Sequence, residues 1–219
     1  MEDWYPLWLS LRVATVATVI AAVVGVGFAY LLAKGRFRGR SLLEAVLTLP
    51  IVLPPTVLGY YLLTTLGVNS PIGRAWESLT GSPLVFTIPA AVIAASVSAL
   101  PFVVRTARAA LEDVDPRLEA VARVAGHPEW RVAALVTLPA ARRGLTAGVA
   151  LGFARALGDF GATVMVAGNI PGRTQTMPIA VFDAVQAGDQ ATARMGSLVL
   201  AAVAVVVLLV VAQTATART

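Results

Sequence analysis

Arg155 and Asp159 are the two charged residues of an otherwise apolar stretch, FARALGDFGATVMVAG. Because they are four residues apart, they would lie on the same face of a helix and could form an ion pair. At the centre of a membrane each charge costs about 2.5–3.5 kcal/mol on insertion scales, so both side chains should face protein or water. Two interpretations stay open: a structural ion pair that holds this segment against a neighbour, or a direct role in moving a polar substrate.

The sequence offers little for catalysis. It has no cysteine, which excludes disulfides, thiol catalysis and cysteine metal sites. Its single histidine, His127, follows a glycine, where a capping or surface role is typical. The fragment KGRFRGRS has the glycines and basic residues of a nucleotide-binding P-loop but not the spacing. We therefore expect no enzyme, metal site or cofactor site in this chain, and any ATP that drives it must be hydrolysed by another chain.

The composition is that of a membrane protein. Of the 219 residues, 58% are hydrophobic and only 13% are charged, whereas a soluble domain has about 25% charged residues. The net charge of +5 comes from basic residues that lie beside apolar stretches rather than on one basic face. This arrangement indicates membrane topology and argues against nucleic-acid binding.

Hydropathy predicts a single domain, 1–219, with about five membrane spans. The predicted spans cover about 7–33, 42–66, 84–104, 144–166 and 195–212. The short loop 34–40 has four basic and no acidic residues, and segment 105–143 has seven arginines. Since basic loops stay inside, both segments should be cytoplasmic, with the N-terminus outside and the C-terminus inside.

Prolines interrupt the second span at Pro50, Pro54 and Pro55, in LPIVLPPTVLGYYLL. Each proline removes a backbone donor and costs up to about 3 kcal/mol inside a helix. Such breaks survive at membrane depth only beside protein or a water-filled path. The pattern leaves two structures open: a kinked helix packed on its neighbours, or a broken helix that lines a transport path.

The longest polar stretch of the sequence predicts a compact helical loop between two spans. A short helix, Leu118 to Ala125, should end at Gly126, and Pro128 prevents it from continuing. A second helical stretch should run from Glu129 to Leu138 and meet Pro139. A helix, a turn at a glycine and a second helix would form a surface to which a soluble partner could bind.

This loop resembles the cytoplasmic coupling loop of ABC importer permeases, whose motif reads Glu-Ala-Ala, three residues, Gly, nine residues, Ile-x-Leu-Pro. Here nine residues separate Gly126 from Val136, and Leu138 and Pro139 complete the motif. The Glu-Ala-Ala positions fall on Ala120, Val121 and Ala122, and the available carboxylate, Glu119, lies one place earlier. The resemblance implies that these residues contact or position an ATPase.

Two longer stretches resemble molybdate importer permeases: residues 49–63 and residues 155–182, RALGDFGATVMVAGNIPGRTQTMPIAVF. Asp159 stands where this group is expected to have glutamate. The resemblance implies an all-α integral membrane protein with the type I ABC importer permease fold. Together with the proline breaks and the charges described above, it leaves Pro54, Pro55, Arg155 and Asp159 as candidates for a pathway lining or a buried ion pair.

The same resemblance implies partners. Two copies of the chain would form a homodimer in the inner, cytoplasmic membrane, with two ATPase subunits below. An external oxyanion-binding protein would dock on outer segments 67–83 and 167–190, where Asn169 and Arg173 mark the outer mouth. ATP and Mg²⁺ would bind to the ATPase, and no cofactor to this chain. The alternatives are a permease for tungstate, sulfate or thiosulfate and, in a different class, an ion-coupled secondary transporter.

Overall fold

A computed structural model describes residues 4–216, although for 211, 212 and 214–216 only the backbone is described. Within this range every regular element is helical. The first six helices are α1 Tyr5–Lys34, α2 Arg40–Val52, α3 Pro55–Leu66, α4 Pro71–Thr80, α5 Ile88–Glu112 and α6 Pro116–Val124. The remainder are α7 Glu129–Val132, a π-helical segment Ala133–Thr137, α8 Leu138–Ala140, α9 Arg142–Leu157, α10 Gly161–Ala167, α11 Met177–Gln186 and α12 Gln190–Thr216.

Five spans result when each bent helix pair is counted as one. Of the described helices, α1, α5 and α12 are each long and apolar enough to cross a membrane. The pairs α2–α3 and α9–α10 pass the same test together, but they are bent by 115° and 59°. The fold is therefore all-α, as the sequence predicts, with two of the spans interrupted.

Helix α5 is the centre of the bundle and packs against both α1 and α9. The contact with α1 is made largely by alanines, none of which is more than 1% exposed: Ala14, Ala17 and Ala21 of α1, and Ala91, Ala95 and Ala99 of α5. Small side chains let helix backbones approach closely, which is how membrane helices gain packing contacts without a hydrophobic driving force. Helices α1, α5 and α9 therefore form the closely packed centre of the bundle.

The second span is broken rather than kinked. Helix α2 passes through Pro50 without interruption, ends at Val52, and α3 begins at Pro55. Pro54 is extended, with ψ 137°, because the residue before a proline is disfavoured in the helical region. Pro55 then occupies a first-turn position, where its missing N–H costs nothing.

The fourth span is also broken, where the sequence predicted one continuous helix. Helix α9 ends at Leu157, and Gly158, Asp159 and Phe160 separate it from α10. The Asp159 carboxylate accepts a hydrogen bond from the backbone N–H of Thr163. A short acidic side chain that binds a nearby backbone donor competes with the helical pattern, and hydropathy does not register this competition.

The third spanning helix is longer than its apolar stretch. Helix α5 continues past residue 104 to Glu112, into the predicted cytoplasmic segment. Ala107 and Leu111 in this extension are buried together with Ala29 of α1 and Ala141. Tertiary packing therefore extends the helix beyond the hydrophobic stretch, and the polar loop proper begins at Asp113.

We expect Gly59→Ala to destabilise the protein by about 1–3 kcal/mol, the usual cost of overpacking. A Cβ at Gly59 would lie 2.7 Å from Met165 Cβ and 3.1 Å from Ala162 Cα, so α3 and α10 would have to separate. Gly27→Ala is the matched control, because a Cβ at Gly27 meets nothing within 4 Å. Thermal unfolding in detergent should show a lower midpoint for the Gly59 variant alone; equal midpoints would contradict the α3–α10 packing.

Candidate functional site

The two helix breaks lie against each other. A Cβ at Gly161, the first residue of α10, would lie 2.6 Å from the Pro55 Cβ at the start of α3. Only a glycine at position 161 permits this approach. The structure thus brings Pro55 to the break that contains Asp159, although the two are far apart in sequence. Pro54 and Pro55 are exposed in the protomer, so this junction borders open space rather than the packed core.

Asp159 is buried, with 3% of its surface exposed, and both carboxylate oxygens are fully engaged. Oδ1 accepts a hydrogen bond from Ser98 Oγ at 3.0 Å and pairs with the Arg155 guanidinium at 3.0 Å. Oδ2 accepts from Thr163 N–H at 3.1 Å and from Thr163 Oγ1 at 2.7 Å. The carboxylate therefore joins α9, α10 and the central helix α5 at one point.

Arg155 differs from Asp159 in its access to the surface. Its side chain is 27% exposed, against 1% for the Asp159 side chain. The ion pair predicted from the sequence is present, but it spans the break instead of lying on one helix face. Asp159 fits the structural interpretation, while the Arg155 guanidinium keeps an accessible surface beside the junction. An anion passing this point would meet one partly neutralised positive charge.

The corner of the polar loop has the geometry of a Schellman motif. Gly126 has φ +83°, a left-handed conformation that strongly favours glycine. Its N–H donates to the Arg123 carbonyl at 2.9 Å, and the N–H of His127 donates to the Ala122 carbonyl at 3.2 Å. These bonds satisfy the last carbonyls of α6. His127 is exposed and contributes its backbone to the cap.

An ion pair connects the two helices that flank the Gly126 corner. Arg123 Nε lies 2.7 Å from Glu129 Oε1, and its second nitrogen lies 3.2 Å from Glu129 Oε2. The hydrogen bond from Arg123 lowers the pKa of Glu129 below its ordinary value. Both residues are well exposed, so the pair fixes geometry more than it adds stability.

Helix α6 exposes its apolar side and buries a charged residue. Leu118, Val121 and Val124, spaced three apart, are 52%, 70% and 90% exposed. On the opposite side, Glu119 and Ala122 are buried. Trp130 and Leu135 add further exposed apolar surface in the same loop, at 66% and 64%. An exposed apolar patch on a polar loop is typical of a surface that binds another protein.

Glu119 is held by three partners. Lys34 Nζ lies 2.9 Å from Oε1, Thr137 Oγ1 donates to Oε1 at 2.9 Å, and Arg123 lies 3.5 Å from Oε2. Burial alone would raise the pKa of Glu119, but the hydrogen bonds from Lys34 and Thr137 and the two positive charges outweigh it and lower the pKa. The stabilisation is therefore present above the ordinary pKa of glutamate and is lost as the pH falls through the lowered value.

The remaining motif residues surround a π-helical turn. Ala120 and Pro139 are exposed, and Val136 and Leu138 are partly buried. Thr137 lies between them at the end of the π-helical segment and is fully buried. π-helical turns often occur at functional positions. Here the turn leads through α8 directly into α9, so the loop and the fourth span are one nearly continuous helical path.

In the segment predicted to lie outside the membrane, Asn169 and Arg173 differ in their surroundings. Asn169 Nδ2 donates to Asp183 Oδ2 at 2.7 Å, and Gln175 Nε2 donates to both residues, at 3.0 and 2.8 Å. Asn169 therefore shapes the segment. Arg173 is exposed, while its carbonyl accepts a hydrogen bond from Tyr5 Oη at 3.2 Å. The exposed Arg173 thus places a positive charge at this surface.

Sequence reasoning missed four residues of these clusters. Thr163 follows Asp159 by four residues, so its role could have been read from spacing. Ser98 lies 61 residues from Asp159, and nothing in the sequence points to it. Lys34 was recognised only as a topology marker, and Thr137 only as a position inside the loop motif. Among the described residues, no group of three or more His, Asp or Glu side chains could hold a metal ion.

Comparisons with known proteins agree on one family. Residues 21–218 match the model of binding-protein-dependent transport system inner membrane components. The chain is 42% identical over 195 residues to the molybdenum transport system permease protein ModB of Escherichia coli, which covers 88% of this chain and 85% of that protein. It is 37% identical over 213 residues to the sulfate transport system permease protein CysW of a Synechocystis species, over 97% of this chain and 76% of that protein.

The fold is also found among solved structures. A chain of the MetNI methionine ABC transporter, in an inward-facing conformation, is similar with a TM-score of 0.76 over the full length of both chains. The sequence identity is 16%, so this likeness concerns the fold alone.

We expect Asp159→Asn to destabilise the protein by about 3–5 kcal/mol, the usual loss when one partner of a buried pair is removed. The amide would set N–H donors against the Thr163 N–H or the Arg155 guanidinium. Arg155→Gln should cost less, because three hydrogen bonds to Asp159 remain. The double variant should recover part of the Asp159→Asn loss. Thermal unfolding of all three in detergent checks this; identical losses for the double and the single Asp159 variant would contradict a charge-pairing role.

Proposed function

We propose that this chain, which belongs to the family of inner membrane components of binding-protein-dependent transport systems, is the permease of an ATP-driven importer for molybdate. The observation that carries the substrate is the 42% identity to a molybdenum permease over 88% of the chain. Two features of the molecule support the proposed mechanism: a helical bundle with two broken spans that meet, and a polar loop with an exposed apolar face.

The transport path passes the junction of Pro55 with Gly161. Broken helices are tolerated at membrane depth where they border protein or a water-filled cavity. Molybdate is a dianion, and the partly exposed Arg155 offsets its charge as it passes. Because Asp159 neutralises much of that arginine, the site attracts the anion without holding it tightly. Selective binding then belongs to a separate external protein, from which the permease receives its cargo.

ATP is hydrolysed on a partner. The coupling loop, which begins at Asp113 after the end of α5, presents Leu118, Val121 and Val124 to a cytoplasmic ATPase that binds ATP and Mg²⁺. Such an apolar face would be unfavourable if it remained in water. Because the Arg123–Glu129 ion pair fixes the geometry of the corner, a displacement of α6 by the ATPase moves the loop as a unit.

Two copies of the chain form a homodimer around the path. Five spans with two interrupted are few to enclose a polar passage, and homo-oligomers are most often symmetric dimers. The broken faces at Pro54 and Pro55 are exposed in the protomer and would be covered by the second copy. The N-terminus lies outside and the C-terminus inside, since the basic loop 34–40 stays in the cytoplasm. The external binding protein docks near Arg173.

The alternatives differ in strength. Tungstate shares the charge and tetrahedral shape of molybdate and would use the same path. Sulfate or thiosulfate is favoured less, because the sulfate permease relative is 37% identical against 42% for the molybdenum permease. An ion-coupled secondary transporter is disfavoured by family membership.

Vesicles that contain this chain, its ATPase and its binding protein should take up radiolabelled molybdate only with hydrolysable ATP. Tungstate should compete well and sulfate poorly. Uptake without ATP would exclude an ABC importer. Competition mainly by sulfate would keep the mechanism and change the cargo.

Gly126→Val should lower ATP-dependent uptake while leaving membrane insertion intact. A β-branched residue in the left-handed conformation is strained by roughly 1–2 kcal/mol, so the corner should change shape. Gly126→Asn should keep more activity, because asparagine tolerates this conformation.

Gly39→Val is the control for that strain. Gly39 has φ +94°, and a Cβ there, as at Gly126, meets nothing within 4 Å. It lies in the other basic loop, outside the proposed ATPase contact. Equal uptake losses for the two valine variants would show that strain in any inner loop is enough, and would contradict a special role for the Gly126 corner.

A further inference from the structure

Helix α6 is attached to the rest of the protein through very few buried groups. Of its nine residues, all of which the structure describes, only Glu119 and Ala122 are buried. Its main neighbours are α7 and the π-helical segment, both of them short pieces of the same loop. One carboxylate and one methyl group are therefore its buried attachment to the protein.

The partners of that carboxylate lie on two separate parts of the bundle. Lys34, at 2.9 Å, is the last residue of α1, where a positive charge also interacts favourably with the helix dipole. Thr137, at 2.9 Å, ends the π-helical segment that leads into α9. Glu119 therefore joins α6 to the inner ends of the first and fourth spans.

Glu119 is not available to an external partner. The residue is 4% exposed, Oε1 is shared by Lys34 and Thr137, and Oε2 faces Arg123 at 3.5 Å. Turning the carboxylate outward would break its ion pair with Lys34 and would leave the fully buried Thr137 hydroxyl with only the long, 3.5 Å contact to the Val132 carbonyl, which is costly for a buried donor. The surface offered to a partner is the opposite, apolar side of α6.

We propose that the Lys34–Glu119 ion pair transmits the movement of α6 to the first spanning helix, so that Glu119 is a positioning residue for transport rather than a contact of the ATPase. This inference rests on the proposed docking of an ATPase on α6. When the ATPase displaces α6, the pair moves the inner end of α1, and Thr137 carries the same displacement towards α9. Without the pair, α6 follows the ATPase while α1 stays behind, and hydrolysis proceeds without transport.

The experiment measures molybdate uptake and ATP hydrolysis together, in vesicles with the complete transporter, and takes their ratio per assembled complex. Lys34→Gln and Glu119→Gln should each lower uptake per ATP at least about fivefold, the lower end of the usual range for coupling between sites. Lys34→Arg should keep the ratio near that of the unmodified protein, because charge and reach are preserved. The Lys34→Gln, Glu119→Gln double variant should be no worse than the poorer single variant, since both remove one link.

Arg40→Gln is the matched control. Arg40 forms an ion pair with Glu112 at 3.2 Å and also loses one positive charge at the inner surface, but this pair joins α2 to α5 and not to the loop. Its ratio should remain unchanged. If a Glu119 variant fails to assemble, Lys34→Gln decides alone, because Lys34 is partly exposed and lies outside the loop.

The outcomes separate this inference from the proposed function. No ATP-dependent uptake by the unmodified transporter would overturn the proposed function itself. Normal coupling in that protein together with unchanged ratios in the Lys34 and Glu119 variants would overturn the inference alone. Additive losses in the double variant would also overturn it, because two independent roles would then be at work.

Discussion

A spanning chain must satisfy its backbone polar groups internally, and the two interrupted spans depend on how this is done. At the α2–α3 break, two consecutive prolines have no N–H to satisfy, and the Pro54 carbonyl accepts from both Val57 and Leu58. At the α9–α10 break, the Asp159 carboxylate takes the Thr163 N–H. The prolines at one break and this hydrogen bond at the other reduce the number of backbone donors that the interruption leaves unpaired.

The position of the breaks divides the bundle into two parts: a framework of α1, α5 and α9, and a seam where α3 and α10 meet. Helices α1 and α5 pack closely through alanines, and α9 approaches α5 at Gly144, Gly148 and Gly152. The half-helices α3 and α10 pack on one another through Gly59 and Gly161 at the same junction. Ser98 links Asp159 of the seam to the central helix α5 of the framework. A conformational change can thus be confined to the angle at the breaks, while the alanine contacts remain.

The sequence was sufficient for what depends on composition and on local residue types. Hydropathy predicts the five-span architecture, Pro54 and Pro55 mark the first break as one of two possible structures, and Gly126 predicts the corner of the loop. It was insufficient where a side chain changes the backbone or pairs over a distance. The four-residue spacing places Thr163 within reach of Asp159, but hydropathy does not show that their hydrogen bond interrupts the helix, and the Glu119 cluster depends on Lys34, which is 85 positions earlier. Spacing along one helix cannot reveal a contact between residues brought together by the fold.

The unusual orientation of α6, with its apolar side exposed and Glu119 buried, also has a physical consequence. If α6 packed on the bundle through its apolar face, the hydrophobic effect would hold it there. That interaction is non-directional, so α6 could shift along the bundle at little cost. A buried carboxylate with a lysine and a threonine partner fixes one geometry, because each bond has a required distance and direction. Burying the charge is costly unless these partners stay in place. The arrangement therefore leaves the apolar face of α6 exposed and makes the attachment of α6 specific in position, which is what the proposed transmission of movement requires.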